Sequence, residues 1–322
     1  FTSGGTESNN LALFGAARLR KPKGRHLITS AVEHHAVLHG LDYLAQKEGF
    51  EVTRLPVDGE GRVALDDLGK AIRPDTTLVS IQAANNEVGT IQPVAALGAL
   101  CRQRGVVFHT DAVQWFGKEP FADIHQFNAD LVSGCAHKFH GPKGAGFLFI
   151  RSPLLPDPIL FGGGHENERR AGTENLAAIV GLVEAMERFV PEPVFSGIHL
   201  APLTERLKTT LRRLPDTVLV GAQEGHLTNT VAFLVDGADS IALLANLDLE
   251  GICASSGSAC SAGSLEPSHV ISALGVAPNL ANSLVRFSLG RKNNQSEVDH
   301  VSQVLPSVLQ RAKQVKGAGL NG

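Results

Sequence analysis

From residue 26 onward, short β-branched runs alternate with segments of helical period, and this alternation restricts the fold more than any other feature of the chain. The pattern predicts strands at His26 to Ala31, Glu51 to Leu55, Thr77 to Gln82, Val106 to Asp111, Ala129 to Cys135 and Gly144 to Arg151. Helices are expected at Asn10 to Arg18, Ala36 to Glu48, Ala95 to Arg104 and about Glu174 to Phe189. Strands separated by helices make βαβ units and therefore a mostly parallel sheet. Pro191 to Pro193 breaks the rhythm and puts a domain boundary between residues 190 and 195. The expectation is an α/β large domain over residues 1–192 and a smaller α+β domain over residues 193–322, the latter from helices Ala201 to Arg213 and Ser240 to Leu247 and strands Thr230 to Val235 and Ser283 to Leu289. Ligands of open α/β sheets lie beyond the carboxyl ends of the strands, and Asn85, Asp111 and Lys138 each follow such an end.

A chain of 322 residues is long enough for two domains. At that size roughly three quarters of the unfolded surface becomes buried. With 43% hydrophobic residues, 19% charged and a formal net charge of −3, neither a disordered chain nor a nucleic-acid binder is indicated. No apolar stretch reaches the roughly 20 residues that cross a bilayer, and no charged-then-apolar leader opens the sequence, so no membrane partner and a cytoplasmic location are expected. Cys101, Cys135, Cys253 and Cys260 form no CxxC and no paired framework, which argues against disulfides and structural zinc. The chain opens at Phe1, without an initiating methionine, inside what reads as strand-to-helix machinery, as a fragment or processed product would.

Lys138 lies in Ser-Gly-Cys-Ala-His-Lys-Phe-His-Gly-Pro-Lys-Gly, downstream of the strand ending His-Thr-Asp at Asp111. A lysine can hold an aldehyde cofactor as a Schiff base, and a carboxylate at a strand end can keep a pyridine nitrogen protonated; together they point to pyridoxal 5'-phosphate. A surface lysine and a solvated turn aspartate are the plainer readings, opposed by the specific flanks of Lys138 and by Gln114, which returns toward the same crevice. Gly4 and Gly5 lead into a helix and offer free backbone N–H groups to a phosphate, although many glycine turns merely enter helices. His34 starts a helix after a strand, where an imidazole either stacks on an aromatic ring and moves protons or only caps the helix. His34 with His35, and His137 with His140, lack the carboxylate or cysteine partners of a metal site.

Cys260 sits in Ser-Ser-Gly-Ser-Ala-Cys-Ser-Ala-Gly-Ser, within an Ala254 to Ser264 window that contains no charged residue. Such a loop cannot activate its own thiol, so the proton must leave to a group met elsewhere, such as a substrate or His34. Cys253, in Gly-Ile-Cys-Ala, reads as a core residue, since free cysteine packs as a small hydrophobe. Arg286 alternates with Val285 and Phe287; its guanidinium either grips a carboxylate with two parallel hydrogen bonds or makes a structural ion pair.

The segments FTSGGTESNNLAL, VEHHAVL, NNEVGTIQP, FHTDAVQ, AHKFHGPKG, GGGHENERRAGTEN, SSGSACSAGSLEPSHV and VRFSLGR, in this order from Phe1 to about Arg291, resemble the pyridoxal-phosphate cysteine desulfurases, class V of the aminotransferase fold. RAGTEN, and a cysteine three places before the lysine, are most similar to the nitrogen-fixation type. The resemblance implies fold type I and places pyridoxal 5'-phosphate on Lys138, with His34 stacked on its ring and Asp111 on its pyridine nitrogen. It sets Asn85 and Gln114 near the ring oxygen and substrate, Gly5, Thr6, Cys135 and His137 around the phosphate, and Thr173 at that phosphate from a second subunit of a homodimer. Arg286, with Asn85, would bind the substrate, L-cysteine, and Cys260 would take its sulfur as a persulfide, leaving L-alanine. Iron-sulfur scaffolds or other acceptor proteins would collect that sulfur. No metal is expected in the resting enzyme, and Cys260 would meet a cluster only through its persulfide. Position 135 is often serine in this family, and a thiol is a poorer donor. Family members also carry a segment before the position of Phe1 that contributes to the small domain and the substrate entrance. A selenocysteine lyase or aminotransferase would keep Lys138 and Asp111 without needing Cys260, and an inactive scaffold would need none of them.

Overall fold

The expected strands of the first half assemble into one six-stranded sheet in a computed structural model that describes residues 1–195, 197–257 and 267–318. Its strands are β1 (His26–Ser30), β2 (Glu51–Leu55), β3 (Thr76–Ser80), β4 (Val107–Asp111), β5 (Leu131–Cys135) and β6 (Gly146–Ile150), in the spatial order β2-β1-β3-β4-β5-β6. All neighbours run parallel except β6, which is antiparallel to β5. Along β1, β3, β4 and β5 every residue is buried, as parallel strands covered on both faces require.

Alternation along the strands divides the apolar residues between two cores. Ile28, Val79, Phe108 and Val132 face one side, with Leu68 of helix α3 (Leu65–Ala71) and Leu97 and Cys101 of helix α4 (Val94–Gln103). Leu27, Leu78, Val107 and Leu131 face the other, against Ala12, Leu13 and Ala16 of helix α1 (Gly5–Arg20) and Val37, Leu41 and Leu44 of helix α2 (His35–Glu48). Helix α2 stops where its sequence turns Glu-Gly-Phe: Gly49 takes a left-handed φ of 74° and its N–H returns to the Leu44 carbonyl. Helix α1 starts five residues earlier than its apolar periodicity suggests, because its first turn is built from small and polar residues.

The chain divides into two compact units, one comprising Phe1–Val57, Arg62–Asn85 and Gln92–Val194, the other Asp58–Gly61, Asn86–Ile91 and the chain from Phe195 onward. The second unit is α+β. Strands β7 (Thr217–Val220), β8 (Thr230–Val235) and β9 (Val285–Ser288) form an antiparallel sheet in the order β7-β8-β9. Val231, Phe233, Val235, Val285 and Phe287 pack with Leu200, Leu207 and Leu211 of the helix Gly197–Arg213, Leu243 of the helix Ser240–Leu249 and Leu305 of the helix Gln295–Ala318.

Candidate active site

At the carboxyl end of β4 the Asp111 carboxylate is 7% exposed and held on both oxygens. Val113 N donates to Oδ1 (2.9 Å) and Asn9 Nδ2, from α1, donates to Oδ2 (2.6 Å). Burial pushes this carboxyl above the usual range; the Val113 and Asn9 bonds, and the charges of His34 and Lys138, pull the other way. His34 and Lys138 therefore both bear electrostatically on Asp111, and all three belong to the first unit. A carboxylate so buried gains most from a cation delivered directly to it.

Lys138 stands in a short 3-10 turn, Ala136–Phe139, immediately after β5, half-buried between the buried Ala136 and Phe139. The turn closes through His140 in the left-handed region (φ 66°) and a Gly141 N to Ala136 O bond of 2.9 Å. A Cβ on Gly141 would come within 2.7 Å of the Ala136 Cβ, so this glycine is what lets the turn fold back behind Lys138.

His34 caps helix α2. Its Nδ1 accepts from Ala36 N at 3.0 Å, which leaves Nε2 to carry the proton of the neutral ring. Capping thus fixes the tautomer and the orientation of the imidazole. His35 stacks on His39, 4.8 Å between centroids, one turn along the same helix. The buried Asn85 donates through Nδ2 to Val32 O (3.0 Å), two residues before His34.

Where helix α1 begins, Gly4 (φ 158°) provides no side-chain cap and has nothing within 4 Å of an added Cβ, so the N-cap position itself offers no competitor for the first-turn N–H groups. A Cβ on Gly5 would meet Val113 Cγ2 at 2.8 Å. Gly5 N–H bonds Cys135, whose Sγ lies 3.4 Å from His137 Nδ1, so Gly5, Cys135 and His137 converge, with Thr6 exposed in the same first turn. Burial pushes the Cys135 thiol up to about 11, which keeps it a neutral, weak donor. The one acid of that turn, Glu7, is matched by Arg170, whose Nε donates to Oε1 at 2.7 Å. The uncapped N–H groups, the Cys135–His137 pair and the buried Asp111 make a donor and charge set that suits a phosphorylated pyridine.

Gln114 is half-buried in the turn after β4, and its Oε1 accepts from Lys118 Nζ. Thr173 is exposed ahead of the helix Leu176–Phe189. In the second unit the half-buried Arg286, on β9, donates from Nη1 to Asn86 O, while its Nε is buried without any partner. Arg286 makes no ion pair among the described residues, and burial lowers its pKa against the pull of Glu87. A guanidinium with an unused donor is what a substrate carboxylate would need.

Cys260 lies outside the described residues. Cys253 does not belong to the core as its apolar neighbours suggest; it is exposed. The adjacent Ile252 is buried instead, in the apolar cluster of the small sheet. Asn9 is the site residue that motif reading passes over. Its only sequence signal is a place one helical turn after Gly5, and that signal requires helix α1 to begin at Gly5 rather than Asn10. Among the described residues no three His, Cys, Asp or Glu side chains group as metal ligands, and no helix is long and apolar enough to cross a membrane.

The family model for class V aminotransferases matches residues 1–301. The cysteine desulfurase IscS of Methanosarcina thermophila is 47% identical over 313 residues, covering 97% of this chain and 77% of its own length. The cysteine desulfurase IscS of Clostridium botulinum (strain Hall) is 43% identical over 318 residues, covering 98% of this chain and 80% of its own. A solved NifS-like protein superimposes with a TM-score of 0.88 at 37% identity, over 96% of this chain and 81% of that one. The alternating sheet, the residues that gather at its carboxyl ends and these relatives agree: the chain belongs to the class V aminotransferases, among the cysteine desulfurases.

Proposed function

We propose that this chain, loaded with pyridoxal 5'-phosphate, removes the sulfur of L-cysteine, releases L-alanine and carries the sulfur on Cys260. The observation that supports this most directly is the buried Asp111 carboxylate, held by Asn9 and Val113 at a strand end and within electrostatic reach of His34 and Lys138. The family is pyridoxal-phosphate-dependent, and the bound cofactor would supply an electron sink at its ring nitrogen.

In this reading Lys138 would hold the cofactor, and its amine would take and return the Cα proton of the substrate. Asp111, oriented by Asn9 and Val113, keeps the ring nitrogen protonated. His34, with Nε2 carrying the proton of its neutral ring, would stack against the cofactor. Gly5, Thr6, Cys135 and His137 surround the phosphate, with Thr173 contributed by the other subunit of a homodimer. Asn85 and Gln114 flank the ring oxygen and substrate, and Arg286 takes the substrate carboxylate. The Cys260 thiolate attacks the substrate sulfur: an S–S bond forms, the C–S bond breaks, and its electron pair stays with the carbon fragment, which gains protons to become alanine. One cysteine and one enzyme thiol give one alanine and one persulfide, so atoms and electrons balance. Residues 1–192 would form the cofactor-binding domain and residues 193–322 the small domain that carries Cys260. Acceptor proteins of iron-sulfur cluster assembly, in the cytoplasm, are the proposed destination of the sulfur.

Cofactor-loaded wild type and C260A, each given L-cysteine, test this by alanine yield and intact mass. Wild type should make alanine and gain one sulfur atom in the absence of reductant; C260A should do neither. Undiminished cysteine turnover by C260A rejects the mechanism.

A further inference from the structure

Next to His34, Glu33 is wholly buried, and motif reading gives it no role. Ser30 Oγ lies 2.5 Å from its Oε1, and the Gln82 N–H reaches both carboxyl oxygens, at 3.1 and 3.0 Å. The Gln82 side chain returns the contact, Nε2 donating to Val32 O at 2.7 Å, and the same carbonyl accepts from Asn85 Nδ2 at 3.0 Å. The turn from β1 into α2 is thereby tied to the segment that leaves β3, across about 50 positions of sequence. One segment ends in His34 and the other in Asn85.

We propose that Glu33 is a positioning residue: its carboxyl clamps these two segments together so that His34 and Asn85 are presented to the cofactor as one rigid unit. This rests on the functional reading above and extends it to a residue that touches neither substrate nor cofactor. A side chain of this length is needed, because the bond must span from the α2 turn to the Gln82 backbone, whose N–H would otherwise lose its partner. The carboxyl is also suited to stay neutral. Burial, with a further contribution from Asp111, pushes it up to about 8 against the Ser30 and Gln82 bonds. Neutral Glu33 does not add a second negative charge beside Asp111, and glutamine should therefore replace it where alanine or aspartate cannot.

The test compares wild type, E33A, E33D and E33Q by pyridoxal phosphate affinity of the apoproteins and by cysteine turnover of the loaded proteins. E33A should bind the cofactor about tenfold more weakly. It should lose about 100-fold in kcat, with KM for cysteine changed by less than about threefold, as displacement of a positioned group predicts. E33Q should stay within about threefold of wild type on both measures, and E33D, which retracts the carboxyl, carries the same test if E33A does not fold. In an H34A background the E33A change should add less than about threefold, because the two residues act as one unit. Equal cofactor affinity and kcat in wild type and folded E33A or E33D, or full multiplication of the E33A and H34A losses, overturns the role of Glu33. Wild-type protein that binds no pyridoxal phosphate overturns instead the functional reading on which it rests.

Discussion

The two sheets bury different chemistry. In the three-stranded sheet the interior is mainly hydrocarbon: Val231, Phe233, Val235, Val285 and Phe287 are 0–5% exposed and belong to one apolar cluster. In the six-stranded sheet the carboxyl-terminal halves of β1, β3 and β4 carry buried polar residues, Thr29 and Ser30, Ser80, and His109, Thr110 and Asp111, and β5 has the buried Ser133 at its middle. Four of them, Thr29, Ser80, His109 and Ser133, are tied to one another, whereas the Thr110 hydroxyl is buried without a partner. His109 joins three strands, with Nδ1 2.8 Å from Ser80 Oγ and Nε2 2.9 Å from Ser133 Oγ, and Thr29 donates to Ser80 O. Asp111 lies two residues beyond His109 on the same face. Where one sheet only holds a unit together, the other spends buried hydrogen bonds on stiffening the strand ends that carry the site. Such frames are stable only when nearly every member is satisfied.

Phe233→Ala should give the largest effect that separates the two sheets. A buried aromatic removed from a hydrocarbon core costs about 3–5 kcal/mol, so thermal or denaturant unfolding should show a large loss. Unchanged stability would mean that the interior of the small sheet is not tightly packed.

Acid should act on the other sheet. Burial holds the His109 imidazole down to about 3, well below an ordinary histidine. Between these two values the unfolded chain binds a proton that the folded chain does not. The stabilisation is therefore complete above about pH 6.5 and is lost progressively as pH falls toward 3, by a few kcal/mol in all. His109→Asn, which cannot take up the proton, should flatten this part of the stability–pH curve relative to wild type; parallel curves for the two proteins would show that His109 is not the group responsible.

The smallest effect distinguishes the thiols. Cys101 and Cys135 are buried, and burial pushes them up to about 12 and about 11, whereas Cys253 is exposed. In a C260A background a thiol reagent should modify Cys253 rapidly with little change in stability, and reach Cys101 and Cys135 only on unfolding. Fast labelling of Cys135 in the native protein would show the sheet end to be open.

Much of the large sheet was legible because periodicity is a local property. Strands β1 to β6 and helices α2 and α4 fall within a few residues of their expected places, and Lys138, Asp111 and His34 stand out by residue type at strand ends. Short elements left weaker traces: α3 contains Gly69, which lowers helical propensity, and β7 has only four residues on a sheet edge. Cys253 was misread because apolar character announces a wish to be buried, while Ile252 next to it is the residue that is buried. Neither Asn9 nor Glu33 carries a motif of its own, since each matters through a partner far along the chain.

What the amino-acid order determined by itself is the alternation of strands and helices and the chemical groups set at the strand ends, because both depend on neighbours a few residues apart. Only the tertiary structure decided that Asn9 holds Asp111 from 102 positions away and that Glu33 binds the Gln82 backbone 49 positions on. It also decided that Glu33, His109 and Cys135 are drawn toward their neutral forms. Desolvation and hydrogen-bond geometry belong to the packed interior, and no residue possesses them before the chain has closed around it.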